Sequence, residues 1–342
     1  MSPALPTRNR QIHLAARPSG FPRETDFALV EAPMPDPGPD EVLVRGLYLS
    51  LDPYMRGRMN DRKSYVPPFK LNEVMGAGAV GEVVRSNSPA FRPGDIVEGL
   101  LGWQDYAVLR AKSLRKIDPG LAPISTAVGV LGMPGLTAYF GLLEVARPKP
   151  GETVVVSGAA GAVGSIVGQI AKINGNRVVG IAGGAAKVRH CLDDLGCDAC
   201  IDYKAEPDIG AALERACPAG IDAYFDNVGG PITDAVVMRL NDRGRIALCG
   251  QISQYNLDKP EPGPRLWTLL LMKQVRVEGF LIFAYADRYR EGSEKLGQWL
   301  KAGKLTYRET ITDGLENAPQ AFIGMLQGAN TGKQLVRLAS EK

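Results

Sequence analysis

The chain is predicted to be an α/β protein in two parts, a β-rich, partly closed barrel and a doubly wound parallel sheet. Three observations predict this. At 342 residues the chain exceeds what one hydrophobic core usually serves, so two domains are expected. Up to about residue 125, short apolar strands are broken by Pro/Gly turns with little helical periodicity, the pattern of a barrel. From about Ile124 strands and helices alternate, the pattern of a parallel sheet with crossover helices.

In the first part, strands are expected at Gln11–Ala15, Phe27–Glu31, Glu41–Ser50, Gly78–Val84, Asp95–Gly99 and Asp105–Leu109. Helix candidates at Ser125–Val130 and Leu136–Leu143 mark the change of texture. Six strands follow at 153–157, 177–182, 199–202, 221–226, 244–249 and 275–281. Helices such as Pro231–Leu240 lie between them, and Ala286–Ala302 closes the array. The segment Leu305–Lys342 carries two strand-like runs around a helix, Leu315–Leu326, and is expected to return to the first part. The expected domains are therefore 1–127 with 305–342, and 128–304.

Composition excludes several classes. Hydrophobic residues make up 45% and charged residues 23% of the chain, as in soluble globular proteins. A net charge of +3, scattered along the chain, gives no basis for a nucleic-acid or membrane-surface partner. No apolar run reaches membrane-span length. The start, Met1-Ser2-Pro3-Ala4-Leu5-Pro6, lacks a signal peptide's apolar core, so a cytoplasmic location is expected. The cysteines are Cys191, Cys197, Cys200, Cys217 and Cys249. Their odd number and irregular spacing argue for reduced thiols. Cys197 and Cys200 form C-x-x-C, but no second pair exists and only His13 and His190 could add imidazoles, so no metal is expected.

The stretch Ser157-Gly158-Ala159-Ala160-Gly161-Ala162-Val163-Gly164-Ser165 follows the apolar β-branched run Thr153–Val156. It opens a helical segment in which Val163, Ile166, Val167 and Ile170 share one face. Strand, glycine turn and helix are the context of a dinucleotide site of Rossmann type. Gly161 lets the backbone approach a pyrophosphate, Gly164 lets the helix pack on its strand, and the helix N-terminus offers unpaired N–H groups. Small residues replace the strict G-x-G-x-x-G order.

The second strand ends without the acid that would hold a ribose 2′-OH. The chain instead reads Gly183-Gly184-Ala185-Ala186-Lys187-Val188-Arg189. A carboxylate there would repel a 2′-phosphate and Lys187 would attract it, which favours NADP over NAD.

The chain resembles the zinc-independent medium-chain dehydrogenase/reductases, in their prostaglandin reductase and 2-alkenal (alkenone) reductase branch. The motifs that carry the resemblance run nearly the whole length. They are Leu51-Asp52-Pro53-Tyr54-Met55-Arg56-Gly57, Met133-Pro134-Gly135-Leu136-Thr137-Ala138-Tyr139, Gly161-Ala162-Val163-Gly164, Ile201-Asp202-Tyr203-Lys204, Asp226-Asn227-Val228-Gly229-Gly230, Cys249-Gly250-Gln251-Ile252-Ser253-Gln254-Tyr255-Asn256, Glu278-Gly279-Phe280 and Asn330-Thr331-Gly332-Lys333. The resemblance implies a GroES-like catalytic domain beside the NADP(H)-binding Rossmann domain, and a homodimer paired through the nucleotide domains.

The resemblance also implies roles. Gly161, Ala162, Val163 and Gly164 would hold the pyrophosphate, and Lys187 and Tyr203 the 2′-phosphate. Asn227 and the turn containing Cys249, Gly250, Ile252, Ser253 and Tyr255 would follow the nicotinamide ribose. Phe280, Leu281, Ile282 and Asn330 would line the nicotinamide and diphosphate end. Where zinc-dependent relatives place Cys and Gly-His-Glu, this chain reads Leu51-Asp52-Pro53-Tyr54 and Met75-Gly76-Ala77-Gly78. No thiolate or imidazole stands at either place.

Without a Lewis acid to stabilise alkoxide, a reaction whose product anion spreads its own charge is favoured. Hydride addition to the β-carbon of an enal or enone is such a reaction, and a small enal or enone is the expected substrate. Tyr255 and Tyr54 are the candidate proton or hydrogen-bond donors. Tyr54, Arg56, Met133 and Phe283 are the candidate substrate contacts, and Tyr65, Trp103, Trp267 and Tyr285 could extend an apolar wall. Two other functions fit the same residues: an NADPH-dependent quinone reductase, and a non-catalytic NADPH-binding or structural protein.

Overall fold

The computed structural model describes residues 5–341. Met1–Ala4, part of the stretch read for a leader, lie outside the described residues. The chain divides into two compact units. One comprises Met1–Gly129, Glu309–Ala329 and Gln334–Lys342, the other Val130–Arg308 and Asn330–Lys333.

In the first unit, β1 (Arg8–Leu14) and β2 (Phe27–Pro33) pair antiparallel. A larger sheet is built on β3 (Glu41–Ser50), which is followed by the short helix α1 (Tyr54–Arg58). The strands β4 (Ala79–Ser86), β5 (Ile96–Gly99), β6 (Tyr106–Arg110) and β7 (Arg115–Lys116) complete its front part. The sheet stays open, in keeping with a barrel expected to be only partly closed. β4 runs along one side of β3, and the other side is divided: residues Glu41–Arg45 pair with β6 and the far end pairs with a strand from the chain's tail. The division falls at Gly46, where a Cβ would stand 2.6 Å from a methyl of Leu338. The β3–β4 register also shifts between Gly46 and Tyr48. A strand that changes partners halfway branches the sheet instead of curling it into a ring.

The second unit holds α2 (Met133–Phe140), β8 (Thr153–Ser157), α3 (Gly164–Ile173), β9 (Arg177–Ala182), α4 (Ala185–Arg189) and β10 (Ala199–Asp202). It continues through α5 (Ile209–Ala216), β11 (Ile221–Asp226), α6 (Gly230–Met238), β12 (Leu240–Leu248), α7 (Trp267–Met272), β13 (Arg276–Gly279) and α8 (Tyr289–Lys301). The sheet order is β10-β9-β8-β11-β12-β13, with every pairing parallel.

Alternation explains its apolar strands. Val154 and Val156 face a core with Phe140, Ile166 and Phe225, whereas Val155 faces a core with Tyr224, Val236 and Ile246. Both faces are covered, so strand residues can be hydrophobic without interruption. After α2 the chain widens into a π-type turn over Gly141–Ala146. A Cβ on Gly141 would stand 2.3 Å from the Phe280 ring, so only glycine lets the chain pass there.

The tail supplies β14 (Glu309–Asp313), α9 (Ala318–Leu326) and β15 (Lys333–Arg337). β15 is the strand that pairs with the far end of β3, through Leu335 and Ser50. Residues 330–333, read from sequence as part of the first domain, cluster with the second unit. There the Gly332 N–H donates to the Ala160 carbonyl at 2.8 Å.

Trp103, a wall candidate by sequence, is a core residue with 0% exposure. It stacks on Phe27 at 5.9 Å and meets the edge of Phe322 at 5.7 Å. Trp103→Ala is expected to cost about 3–5 kcal/mol of stability, measurable as a fall in the urea midpoint at constant slope.

Candidate functional site

The sheet's order reverses between β8 and β11, and the fingerprint loop leaves β8 at that switch point. In open parallel sheets this is where ligands bind. Gly158 takes a left-handed backbone, φ +62°, and its carbonyl receives the Gly161 N–H at 2.9 Å. A Cβ on Gly164 would stand 2.2 Å from that same carbonyl. The loop therefore folds so tightly under α3 that no side chain fits. Ala162 and Val163 complete the turn, and Val163 precedes α3 with no side-chain cap on the helix. The Ser165 N–H donates to the Gly161 carbonyl at 3.0 Å and the Ile166 N–H to the Val163 carbonyl at 3.1 Å, so only the N–H groups that precede Ser165 in the turn can face an anion. Asn330 is fixed beside this loop, its Nδ2 donating to the Gly332 carbonyl at 2.8 Å, and Gly332 is bonded to Ala160.

The other side of the switch point is organised by Asp226, which is fully buried at the end of β11. Its Oδ1 accepts from Ser157 Oγ (3.1 Å), Tyr224 Oη (2.9 Å) and the N–H groups of Val228 and Gly229 (2.9 Å each). Its Oδ2 accepts from Thr233 Oγ1 (2.7 Å) and Gln251 Nε2 (3.0 Å). An ionised carboxylate is tolerated in a core only when donors replace its water, and this one is so supplied. Its carbonyl also accepts from the N–H groups of Cys249 and Gly250.

Asn227 is locked to the end of β8. Its N–H donates to Ser157 Oγ and its Nδ2 to the Ser157 carbonyl, at 2.9 and 2.8 Å. The turn from Cys249 to Tyr255 is tied to Asn227 and Val228 through the Ile252 and Ser253 N–H groups, and Ser253 Oγ donates to the Val228 carbonyl. The sequence shows Asp226 within a motif without assigning it a role; the signal for one is an acid directly after the apolar, buried run Ala223–Phe225.

Tyr255 faces a cavity of about 610 Å³ whose lining includes Cys249, Gly250, Glu278, Phe280, Leu281 and Tyr285. The Tyr255 hydroxyl accepts the Gln251 N–H at 3.1 Å, which leaves its own proton to donate elsewhere. Burial raises its pKa, and the nearby Cys249 and Asp226 add to the rise. Cys249 is desolvated as well, and its thiol is pushed up to about 12, so it is a packing thiol and not a thiolate at neutral pH. Phe280 packs edge-on to Phe225 at 6.1 Å. Ile282 is buried, whereas Leu281 and Phe283 are exposed.

At the far end of the sheet, β9 ends at Ala182, followed by Gly183 and Gly184. The Tyr203 ring lies over Gly183, where a Cβ would stand 2.8 Å from it. This close approach leaves room for glycine alone at that position. Lys187 sits half-buried on α4. Burial and then the charge of Lys204 hold its pKa below the usual lysine value. Tyr203 thus covers the turn from which α4, and with it Lys187, begins.

Met133 packs against the core around Leu136 and Phe140. Tyr285, from the proposed wall, stacks on Phe140 at 4.8 Å. Tyr65 and Trp267 are exposed. Tyr54 and Arg56 belong to the first unit, on α1. Burial, with the charge of Asp52, raises the Tyr54 pKa. Arg56 is 2% exposed. Its guanidinium donates to the carbonyls of Pro18 and Gly20 and to Asn60 Oδ1, which makes it a fastener of the 18–20 loop.

Comparison with known proteins agrees with this geometry. The family profile described as the N-terminal domain of oxidoreductase matches residues 10–117, and that described as zinc-binding dehydrogenase matches residues 162–298. The NADPH-dependent curcumin reductase of Escherichia coli is 50% identical over 98% of this chain and 98% of its own. The 2-alkenal reductase (NADP(+)-dependent) of Nicotiana tabacum is 44% identical over 97% and 98%. The crystal structure of CurA in complex with NADPH from Vibrio vulnificus superposes with a TM-score of 0.93 at 49% identity, covering 97% of this chain and 100% of that one. The chain belongs to the medium-chain dehydrogenase/reductase family of oxidoreductases.

Asp226→Asn places an amide N–H₂ among donors. The expected result is a loss of about 3–5 kcal/mol in stability together with weakened dinucleotide binding, read by thermal unfolding and by cofactor fluorescence titration.

Proposed function

We propose that this protein is an NADPH-dependent, zinc-independent reductase of the carbon–carbon double bond in α,β-unsaturated aldehydes and ketones. The observation that carries the choice of reaction is Tyr255. It is a protonated hydroxyl with its lone pair engaged by Gln251, facing a largely apolar-lined cavity beside the switch point. Bound NADPH supplies the hydride, which goes to the β-carbon of the substrate.

The residues fit that cofactor. Gly161, Ala162, Val163 and Gly164, with the start of α3, cradle the pyrophosphate. Lys187 and Tyr203 hold the 2′-phosphate. Asn227 and the Cys249, Gly250, Ile252, Ser253 and Tyr255 turn hold the nicotinamide ribose. Phe280, Leu281, Ile282 and Asn330 line the nicotinamide and diphosphate end.

As negative charge reaches the substrate oxygen, Tyr255 donates a hydrogen bond to it, directly or through the ribose hydroxyl it orients. Its raised pKa keeps the proton on the hydroxyl through neutral pH. Tyr54, also held protonated, is the second candidate donor, for the α-carbon. Met133 and Phe283 are the apolar substrate contacts. Zinc-independence is supported by the residues at 51–54 and 75–78, which offer no thiolate or imidazole. Among the described residues, no His, Cys, Asp and Glu side chains are grouped to hold a metal. The free cysteines support a reducing, cytoplasmic location.

The test is NADPH oxidation against a panel of enals, enones and quinones. Enals and enones are expected to turn over, and Tyr255→Phe is expected to lower kcat by roughly 10- to 1000-fold with little change in NADPH affinity. Faster turnover of quinones than of any enone would favour the quinone reductase reading. No turnover of any acceptor would favour a binding protein.

The protein is also proposed to be a homodimer joined along β13. This strand ends the sheet with one edge unpaired, and Trp267, Leu271, Met272, Val277, Leu281 and Phe283 on or beside it are exposed. Antiparallel pairing of two copies about Val277 sets each Arg276 opposite the other copy's Glu278, so the edge is complementary to itself. Sedimentation is expected to give a dimer for the wild type and a monomer for Val277→Lys. A wild-type monomer would refute the pairing.

A further inference from the structure

We propose that Lys204 is the second cation of the ribose 2′-phosphate site and that the Asp202 carboxylate is its positioning residue, an inference that rests on the NADPH reading above. Asp202 ends β10 in register with Ala182 at the end of β9. Its Oδ1 accepts the N–H of Gly184 at 2.8 Å and the N–H of Lys204 at 3.0 Å. One oxygen atom therefore ties the glycine turn after β9 to the loop after β10. The Tyr203 N–H adds a third tie, to the Ala182 carbonyl at 3.1 Å.

This arrangement settles where the local charges act. An acid at the end of the second strand would select a 2′-OH and repel a 2′-phosphate. Here the acid ends the third strand, and backbone N–H groups take up its charge. Lys187 stands on α4, which starts from the first tied segment, and Lys204 stands on the second. They lie close enough that the charge of Lys204 contributes to lowering the Lys187 pKa. Among the described residues no carboxylate is ion-paired to Lys204.

Two ammonium groups held together repel each other until an anion separates them. A phosphomonoester carrying nearly two negative charges at neutral pH matches that pair. The Tyr203 ring is seated on Gly183, at the turn that leads into α4. A cofactor without the 2′-phosphate gains nothing from either lysine.

The test is equilibrium titration of the full chain with NADPH and with NADH, followed by cofactor fluorescence. Lys204→Gln is expected to raise the NADPH Kd roughly tenfold, the size of one charge-assisted hydrogen bond. The NADH Kd should move less than twofold, and the salt dependence of NADPH binding should flatten. Asp202→Ala is expected to lose NADPH selectivity in the same direction, and Asp202→Asn, which retains an accepting oxygen, to restore most of it. If Asp202→Ala fails to fold, Lys204→Gln and Asp202→Asn still decide, since each retains the backbone ties.

An unchanged NADPH Kd in Lys204→Gln, or equal losses for both cofactors, overturns the role of Lys204. Equal loss of both cofactors in Asp202→Ala overturns the positioning role of Asp202. Wild-type protein that binds NADH as tightly as NADPH overturns the cofactor reading itself, and Lys187→Asp, expected to raise the Kd for NADPH far more than for NADH, separates that failure from this one.

Discussion

A buried carboxylate at the end of β11 is the constraint on which the candidate site depends. Asp226 takes hydrogen bonds from β8, from its own strand, from the turn into α6 and from the Cys249–Tyr255 turn. Each of those segments carries a part of the proposed dinucleotide site. A charge in a low-dielectric core needs every donor it can reach, so the segments converge on it. The result is a fixed placement of Asn227 and Tyr255 relative to the glycine loop.

The two ends of the proposed cofactor site are built differently. At the pyrophosphate end the work is done by backbone: a left-handed Gly158, a Gly164 with no room for a Cβ, and the turn that leads into α3. At the 2′ end it is done by side chains, Lys187 and Tyr203, arranged on a backbone that Asp202 ties together. Backbone donors suit a group common to all dinucleotides. Side-chain cations suit the one group that distinguishes two of them.

The proposed chemistry uses hydroxyl groups that keep their protons, as tyrosines do at neutral pH. Burial moves Tyr255 and Tyr54 further in that direction, raising both pKa values. The same desolvation keeps Cys249 a neutral thiol at the cavity wall. Electrophilic enals react with thiolates, so a protonated cysteine there is compatible with the proposed substrates.

Much of this was legible in the sequence. The run Thr153–Val156, the glycine loop and the periodic face of Ile166, Val167 and Ile170 specify a strand, a turn and a helix by local propensity and alternation alone. The missing acid and Lys187 specify the cofactor's charge by elementary electrostatics. What the sequence could not determine depends on residues far apart in the chain. The branch of β3 at Gly46 is decided by Leu338, the seat of Tyr203 by Gly183, and the tie of Arg56 to the 18–20 loop by the carbonyls of Pro18 and Gly20. Periodicity records which face of an element is buried, whereas partner choice and the fate of a buried charge are settled only when distant segments meet.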